Sequence, residues 1–155
     1  MAPVVYVVNA SPLIVFQRIG QFGLLGALLT HAFAPSAVRY EVYGNKPMPE
    51  WIEERPLAQS LASRIVAARL GAGEREAIAL ALEIGADELV LDDLAARRLA
   101  RSLEINLIGS VGLLLRAKAR GLIPSVRPLL EAMQAKDFRI SARVLERILC
   151  AAGEI

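Results

Sequence analysis

The stretch GEREAIALALEIGADELVLDD, residues 73–93, decides the fold because it joins an apolar helix to a strand that ends in acids. Its first part has apolar residues at helical spacing, which predicts a helix from about residue 73 to 83 that Gly85 ends. The ELVL that follows predicts a short buried strand, and Asp92 and Asp93 come directly after it. A helix that leads into such a strand is typical of a βαβ unit.

The same alternation of strands and helices extends over the whole chain. Further strands are predicted at 4–8, 32–34 and within INLIGS, residues 105–110. Helices are predicted at about 12–29 with a break near 20–23, at 36–44, 94–104, 111–121, 126–136 and 142–152. Residues 45–56 are predicted to form a loop, and residues 57–68 fit either an edge strand or a helix. We therefore expect one domain over residues 1–155, built on a parallel sheet covered on both faces.

Composition narrows the class of protein. The chain has 155 residues, of which 55% are hydrophobic, enough for a well-formed core. We expect no membrane span and no signal peptide, and the single cysteine, Cys150, fits a reducing cytoplasm. His31 is the only histidine, so a zinc site of nitrogen and sulfur ligands cannot form within one chain. The mean hydropathy of +0.44 favours self-association or a partner protein, and in the case of self-association we expect a homodimer.

Polar residues follow three of the predicted strands: Asn9, the pair Asp92 and Asp93, and Ser110. Ligands of parallel sheets bind beyond the carboxyl ends of the strands, so these side chains are candidates for one site. The alternative for the aspartate pair is an N-cap of the helix that begins near residue 94. A cap explains one of the two aspartates but not both.

Three glutamates are further candidates. Glu41 lies on the helix after the second strand, and Glu74 and Glu76 lie in the first turn of the helix at 73–83. First-turn acids also favour the helix dipole, which is the alternative reading. Crowded carboxylates repel one another unless a cation lies among them, and oxygen ligands suit Mg²⁺ or Mn²⁺. Ser11 and Ser110 are candidate supporting hydroxyls, although Ser11 before Pro12 is also a typical N-cap.

Basic residues are concentrated between residues 94 and 130, where Glu104 is the only acid. Arginine suits phosphate recognition, so this stretch is a candidate nucleic-acid surface. The alternative is a solvated arginine-rich helical surface. The basic residues are Arg97, Arg98, Arg101, Arg116, Lys118, Arg120 and Arg127.

NASPLI at 9–14, Glu41, the run 73–101 and NLIGSVGLLLRAKARGLI at 106–123 together resemble the PIN-domain superfamily. Within it, they resemble a branch of short prokaryotic proteins related to the VapC-type toxin ribonucleases. The resemblance implies a three-layer α/β/α sandwich around a parallel sheet of four or five strands. It also implies an acidic quartet that holds Mg²⁺ or Mn²⁺, an RNA substrate and an antitoxin partner.

Carried over by position, the quartet falls on Asn9, Glu41, Glu76 and the Asp92–Asp93 pair, with Asp93 as the aligned member. Asn9 departs from the family's aspartate, and an amide brings no negative charge and cannot act as a base. Three explanations remain open: an active nuclease with a reduced site, a weakened member that binds RNA or a partner, and deamidation or an engineered change of aspartate to asparagine. A phospho-acceptor receiver domain fits poorly because no lysine lies near a predicted strand end.

Overall fold

The computed structural model describes residues 3–155, in which five parallel strands form one sheet of order β3-β2-β1-β4-β5. The chain starts in the central strand, adds two strands on one side and then two on the other. This places a topological switch point between β1 and β4, where crevices open in such sheets. The strands are β1 (Tyr6–Val8), β2 (Ala32–Ala34), β3 (Ile52–Glu54), β4 (Glu88–Val90) and β5 (Leu107–Ile108).

Nine helices surround this sheet within residues 3–155. Gly20, with φ of +71°, separates the first two, so the predicted break is confirmed. The helices are α1 (Ala10–Arg18), α2 (Phe22–Leu29), α3 (Ser36–Tyr43), α4 (Ser63–Ala67), α5 (Ala72–Ile84), α6 (Leu94–Ser102), α7 (Ser110–Ala119), α8 (Arg127–Ala135) and α9 (Ala142–Ala151).

The sheet separates two hydrophobic cores. Tyr6 and Val8 of β1 face the core built with α1, α2, α7, α8 and α9. Val7, between them, faces the core built with α4, α5 and α6. Side chains alternate along a strand, so a strand buried on both faces is apolar throughout, as VVYVV is. The predicted three-layer α/β/α fold is confirmed.

The strand β3 lies inside the predicted loop at 45–56, so that part of the prediction is wrong. β3 is an edge strand that pairs only with β2, and Ile52 is its only fully buried residue. A strand that is half solvated and follows Pro47 and Pro49 has almost no apolar pattern, and backbone pairing alone defines it. The undecided segment at 57–68 contains the short helix α4.

Helices begin directly after β1, β2, β4 and β5, so four helix N-termini lie at the carboxyl edge of the sheet. Each N-terminus carries partial positive charge and unpaired N–H groups. This edge is therefore suited to carboxylates and to anionic ligands before any side chain is considered.

Glu154 fixes the last residues of the chain against the start of α8. Its carboxylate accepts hydrogen bonds from the backbone N–H of Val126 at 2.8 Å and of Arg127 at 3.0 Å, and from Lys118 at 3.0 Å. The Val126 N–H is the main cause that lowers the pKa of Glu154 to about 2. The carboxylate is therefore ionised at neutral pH.

Across residues 3–155, every helix is too short or too polar to cross a lipid bilayer.

Candidate active site

A cavity of about 540 Å³ opens at the carboxyl edge of the sheet, beside the switch point between β1 and β4. Residues from both ends of the chain form its wall. The wall includes Asn9, Ser11, Glu41, Glu74, Asp92 and Asp93, and also Arg18, Lys136, Asp137, Phe138 and Arg139.

Asn9 is the buried residue at the base of this cavity, with 3% of its surface exposed. Its backbone N–H donates to the carbonyl of Val90 at 3.0 Å, which continues the sheet by one residue. Its Oδ1 has no hydrogen-bond partner within residues 3–155. A buried acceptor without a partner costs about 1–3 kcal/mol, so this oxygen calls for a donor or a cation.

Gly73 brings Glu41 and Asn9 together. A Cβ atom placed on Gly73 would lie 3.2 Å from Glu41 Oε1 and 3.4 Å from Asn9 Oδ1. Both oxygens therefore lie against the same backbone position, at the N-terminal turn of α5. No pattern in the sequence selects Gly73; the only hint is a glycine in the first turn of a helix, where propensity favours other residues.

Replacing Gly73 with alanine should separate stability from metal binding. Alanine favours a helix over glycine by about 1 kcal/mol, so the melting temperature should stay the same or rise. The new Cβ would displace Glu41 Oε1, and we expect the affinity for Mn²⁺ to fall about 10-fold, as for other residues that orient metal ligands. Thermal unfolding and a calorimetric Mn²⁺ titration measure the two effects.

Gly23→Ala is the matched control, because this helical glycine has open space around its Cβ position. It should gain stability without a change in Mn²⁺ affinity. An unchanged Mn²⁺ affinity in Gly73→Ala would show that the oxygens beside Gly73 do not bind the ion.

Asp92 is held by three hydrogen bonds. Its Oδ1 accepts from the backbone N–H of Ser110 at 2.7 Å, and its Oδ2 accepts from Ser110 Oγ at 2.7 Å and from Ser11 Oγ at 3.2 Å. These contacts join the end of β4 to α1 and to the N-terminus of α7. The two serines thus orient a carboxylate. The N-cap of α1 is Asn9, so the capping role considered for Ser11 is wrong.

Asp93 caps the next helix. Its Oδ2 accepts from the backbone N–H of Ala96 at 2.9 Å, and Asp93 is the N-cap of α6. The capping alternative therefore holds for this aspartate, which is solvent-exposed and also lines the cavity. Capping uses one oxygen, and the other makes no hydrogen bond within residues 3–155.

Glu74 and Glu76 take different positions on α5. Glu76 Oε1 accepts from the backbone N–H of Ala37 at 3.1 Å and so supports the first turn of α3. Glu74 lines the cavity, and Glu76 is not part of its wall. Side chains two residues apart on a helix are rotated by about 200° around the helix axis and so point in nearly opposite directions. Only one of the two can therefore face the cavity. Glu74 is thus the one of the two that lines the cavity, and the assignment of the third acidic position to Glu76 stays a prediction.

The predicted basic surface divides into separate regions. Arg116 forms a two-pronged ion pair with Glu88 at 2.6 and 3.0 Å, at the amino end of β4 and thus at the opposite edge of the sheet. Lys118 pairs with Glu154, and Arg120 donates to the carbonyl of Leu28 at 3.4 Å. These three cations contribute to the fold on the side away from the cavity.

The cations of α6 lie closer to the acids. Arg97 donates to the carbonyl of Leu91 at 2.7 Å. Burial and the neighbouring Arg101 lower the pKa of Arg97, and Asp92 opposes them. Arg98 and Arg101 are exposed on the same helix.

The charge balance of the cavity favours a divalent cation. Five carboxylates and three cations line it, which gives a net charge of −2. Asn9 Oδ1 and the carboxylates are hard oxygen donors, the type that Mg²⁺ and Mn²⁺ prefer. Within residues 3–155, no three Asp, Glu, His or Cys side chains are close enough together to hold a metal by themselves. The oxygen donors of the cavity, which include the amide of Asn9, are therefore of the chemical type that a hard cation prefers.

A comparison with protein families identifies a family for this chain. The model of the DUF3368 family, described as a PIN domain, matches residues 5–154. No curated protein matches the chain.

Proposed function

Because the chain belongs to the PIN-domain family, a superfamily of nucleases, we propose that it is a metal-dependent endoribonuclease of the VapC-toxin type. The observation that carries the proposal is the pair of oxygens at Gly73. The unpartnered Asn9 Oδ1 and Glu41 Oε1 lie against one backbone position, in a cavity that also contains Asp92 and Asp93. A PIN domain suggests a nucleic acid substrate, and RNA is our proposal within that class.

We propose that Asn9, Glu41, Glu74 and Asp93 hold Mg²⁺ or Mn²⁺. When bound, such an ion activates water and neutralises charge on a phosphate. Asn9 can donate its oxygen to the ion but cannot take a proton, so the proton of the attacking water has to pass to a carboxylate. Glu41 and Glu74 are suitable acceptors, because neither is held by a hydrogen bond from another residue within residues 3–155.

Asp92 has a positioning role in this proposal. Ser11 and Ser110 fix both of its oxygens, so its negative charge stays in one place at the N-terminus of α7. A fixed charge costs no reorganisation when the reaction begins. Asp93, held through one oxygen only, keeps the other for the ion.

The proposal extends to partners. The VapC type implies an antitoxin and a homodimer. Support for a homodimer comes from a groove between α7 and α9, with Leu115 and Ile148 in its wall and Val144 40% exposed beside them. An exposed apolar surface of this kind is typical of association surfaces.

Cleavage of labelled single-stranded RNA tests the proposal. Purified protein should cut a panel of RNA oligonucleotides when Mn²⁺ or Mg²⁺ is in excess, and should leave them intact when EDTA is added. DNA oligonucleotides of the same sequences, run in parallel, should be cut at least 10-fold more slowly if the enzyme is a ribonuclease. Equal cleavage with EDTA, or no cleavage of the panel in Mn²⁺, would overturn the proposal.

A second candidate is a non-catalytic PIN module that binds RNA or a protein partner. Asn9 favours it, since the amide removes one negative charge from the ion site. A calorimetric Mg²⁺ titration discriminates: an ion that binds at millimolar concentration supports the nuclease, and no binding supports the module.

A further inference from the structure

We infer that Arg18, Lys136 and Arg139 form a surface, the basic rim, that holds the phosphodiester backbone of the nucleic acid beside the acidic cavity. This rests on the proposed function, since it assigns a substrate-binding role at the same site. It also places that role outside the basic stretch at 94–130.

The basic rim comes from distant parts of the chain. Arg18 is the last residue of α1, Lys136 follows the last residue of α8, and Arg139 lies in the connection from α8 to α9. All three line the same cavity as the acids. A strand that enters this cavity would therefore meet these cations beside the acids.

The charges of the basic rim are not paired with other groups in the part of the chain that the structure describes. Within residues 3–155, none of its three side chains forms an ion pair or donates a hydrogen bond to another residue. By contrast, Arg116 and Lys118 are engaged by glutamates of the fold. Cations that stay unpaired next to an acidic cavity are available to phosphates, and arginine binds phosphate through two parallel hydrogen bonds.

The segment that carries Lys136 and Arg139 is anchored. Phe138 is half-buried and packs with Ile140 against the core on the α1 side of the sheet. The backbone N–H of Phe138 donates to the carbonyl of Met133 at 3.0 Å, and Asp137 takes the left-handed conformation, with φ of +63°, that allows the turn. The rim is therefore held in place on a fixed turn, which reduces the entropy lost when a strand binds.

The carboxylates of the cavity would repel a nucleic acid if no cations lay near them. The cavity has a net charge of −2 even when the rim is counted, and without it the charge would be −5. A polyanion approaching a site of that charge is repelled unless cations lie close by. The rim alone offsets three of the five negative charges, so it favours the approach of a phosphate before any ion is bound, and one divalent ion would offset the remaining two.

Fluorescence anisotropy with a labelled single-stranded RNA in EDTA measures binding without cleavage. The double variant Arg18→Gln and Arg139→Gln should bind at least 10-fold more weakly. Its slope of log affinity against log salt should be smaller by about 1.4, since each phosphate contact with a single strand contributes about 0.7. The control, Arg69→Gln with Arg143→Gln, removes the same charge from exposed residues outside the cavity wall and should change affinity less than 2-fold.

A third variant decides between the two basic surfaces. Arg98→Gln with Arg101→Gln removes the exposed cations of α6. If this pair weakens binding 10-fold and the rim pair does not, the rim proposal is overturned. Equal losses in the rim pair and the control pair would also overturn it, since only net charge would then matter.

The basic-rim proposal and the nuclease proposal can be overturned independently of each other. RNA binding that depends on the rim, in a protein that leaves RNA intact with Mn²⁺, supports the rim and overturns the nuclease. Cleavage with an unchanged KM in the rim pair supports the nuclease and overturns the rim.

Discussion

Replacing Glu41 with glutamine should abolish Mn²⁺-dependent RNA cleavage, with kcat at least about 100-fold below wild type, the usual loss for an essential carboxylate. Glutamine keeps the shape of the side chain and removes its charge. Glu41 Oε1 and the unpartnered Asn9 Oδ1 both lie beside Gly73, so this charge is next to the same backbone position as the buried amide oxygen. Glu41 forms no hydrogen bond or ion pair within residues 3–155, and the melting temperature without metal should therefore stay the same.

The measurement is a single-turnover cleavage assay beside thermal unfolding. Glu131→Gln is the matched control, because Glu131 is an exposed helical glutamate outside the cavity. It should cleave like wild type. If Glu41→Gln retained full activity, Glu41 would have no role in the reaction and the proposed metal site would have to be abandoned.

Replacing Asn9 with aspartate should strengthen Mn²⁺ binding about 10-fold or more and raise the cleavage rate. The variant puts a second negative charge beside Glu41, at an atom that is already buried and has no partner. The same charge should lower the melting temperature of the metal-free protein, because a buried carboxylate is desolvated and lies close to another one. Mn²⁺ should then raise the melting temperature of the variant more than that of wild type.

Asn45→Asp supplies the control, since Asn45 is exposed in the connection from α3 to β3. It adds the same charge and should leave Mn²⁺ affinity unchanged. An Asn9→Asp protein with wild-type affinity for Mn²⁺ would mean that the ion does not contact this position.

The sheet was predictable where strands are buried on both faces. VVYVV is a continuous apolar run and ELVL is apolar after Glu88, and they contain β1 and β4, which lie inside the sheet. β3 could not be predicted because an edge strand with one buried residue has no such run. Its position depends on backbone bonds with β2, such as the one from Arg55 N–H to the carbonyl of Ala34 at 2.9 Å.

The general place of the site was also predictable, since polar residues at the ends of parallel strands meet at one edge. Which of Glu74 and Glu76 lines the cavity was not predictable, because it depends on how α5 is rotated against α3. That rotation is set by packing, and the hydrogen bond from the Ala37 N–H to Glu76 Oε1 is formed in this orientation.

No pattern in the sequence predicts the basic rim. Arg18 and Arg139 are separated by most of the chain, and only the packing of Phe138 into the core brings them to one cavity. The dense basic stretch at 94–130 was visible, but three of its members are paired inside the fold, as Arg116 is with Glu88. Charge density along a sequence does not show which cations remain available.

A crystal structure with Mn²⁺, read by anomalous scattering, tests the central claim most directly. The account predicts a single strong peak in the cavity, within about 2.3 Å of Asn9 Oδ1 and of a Glu41 oxygen, the usual range for a hard cation bound by oxygen. A peak elsewhere on the protein, or no peak with Mn²⁺ in excess, would contradict it.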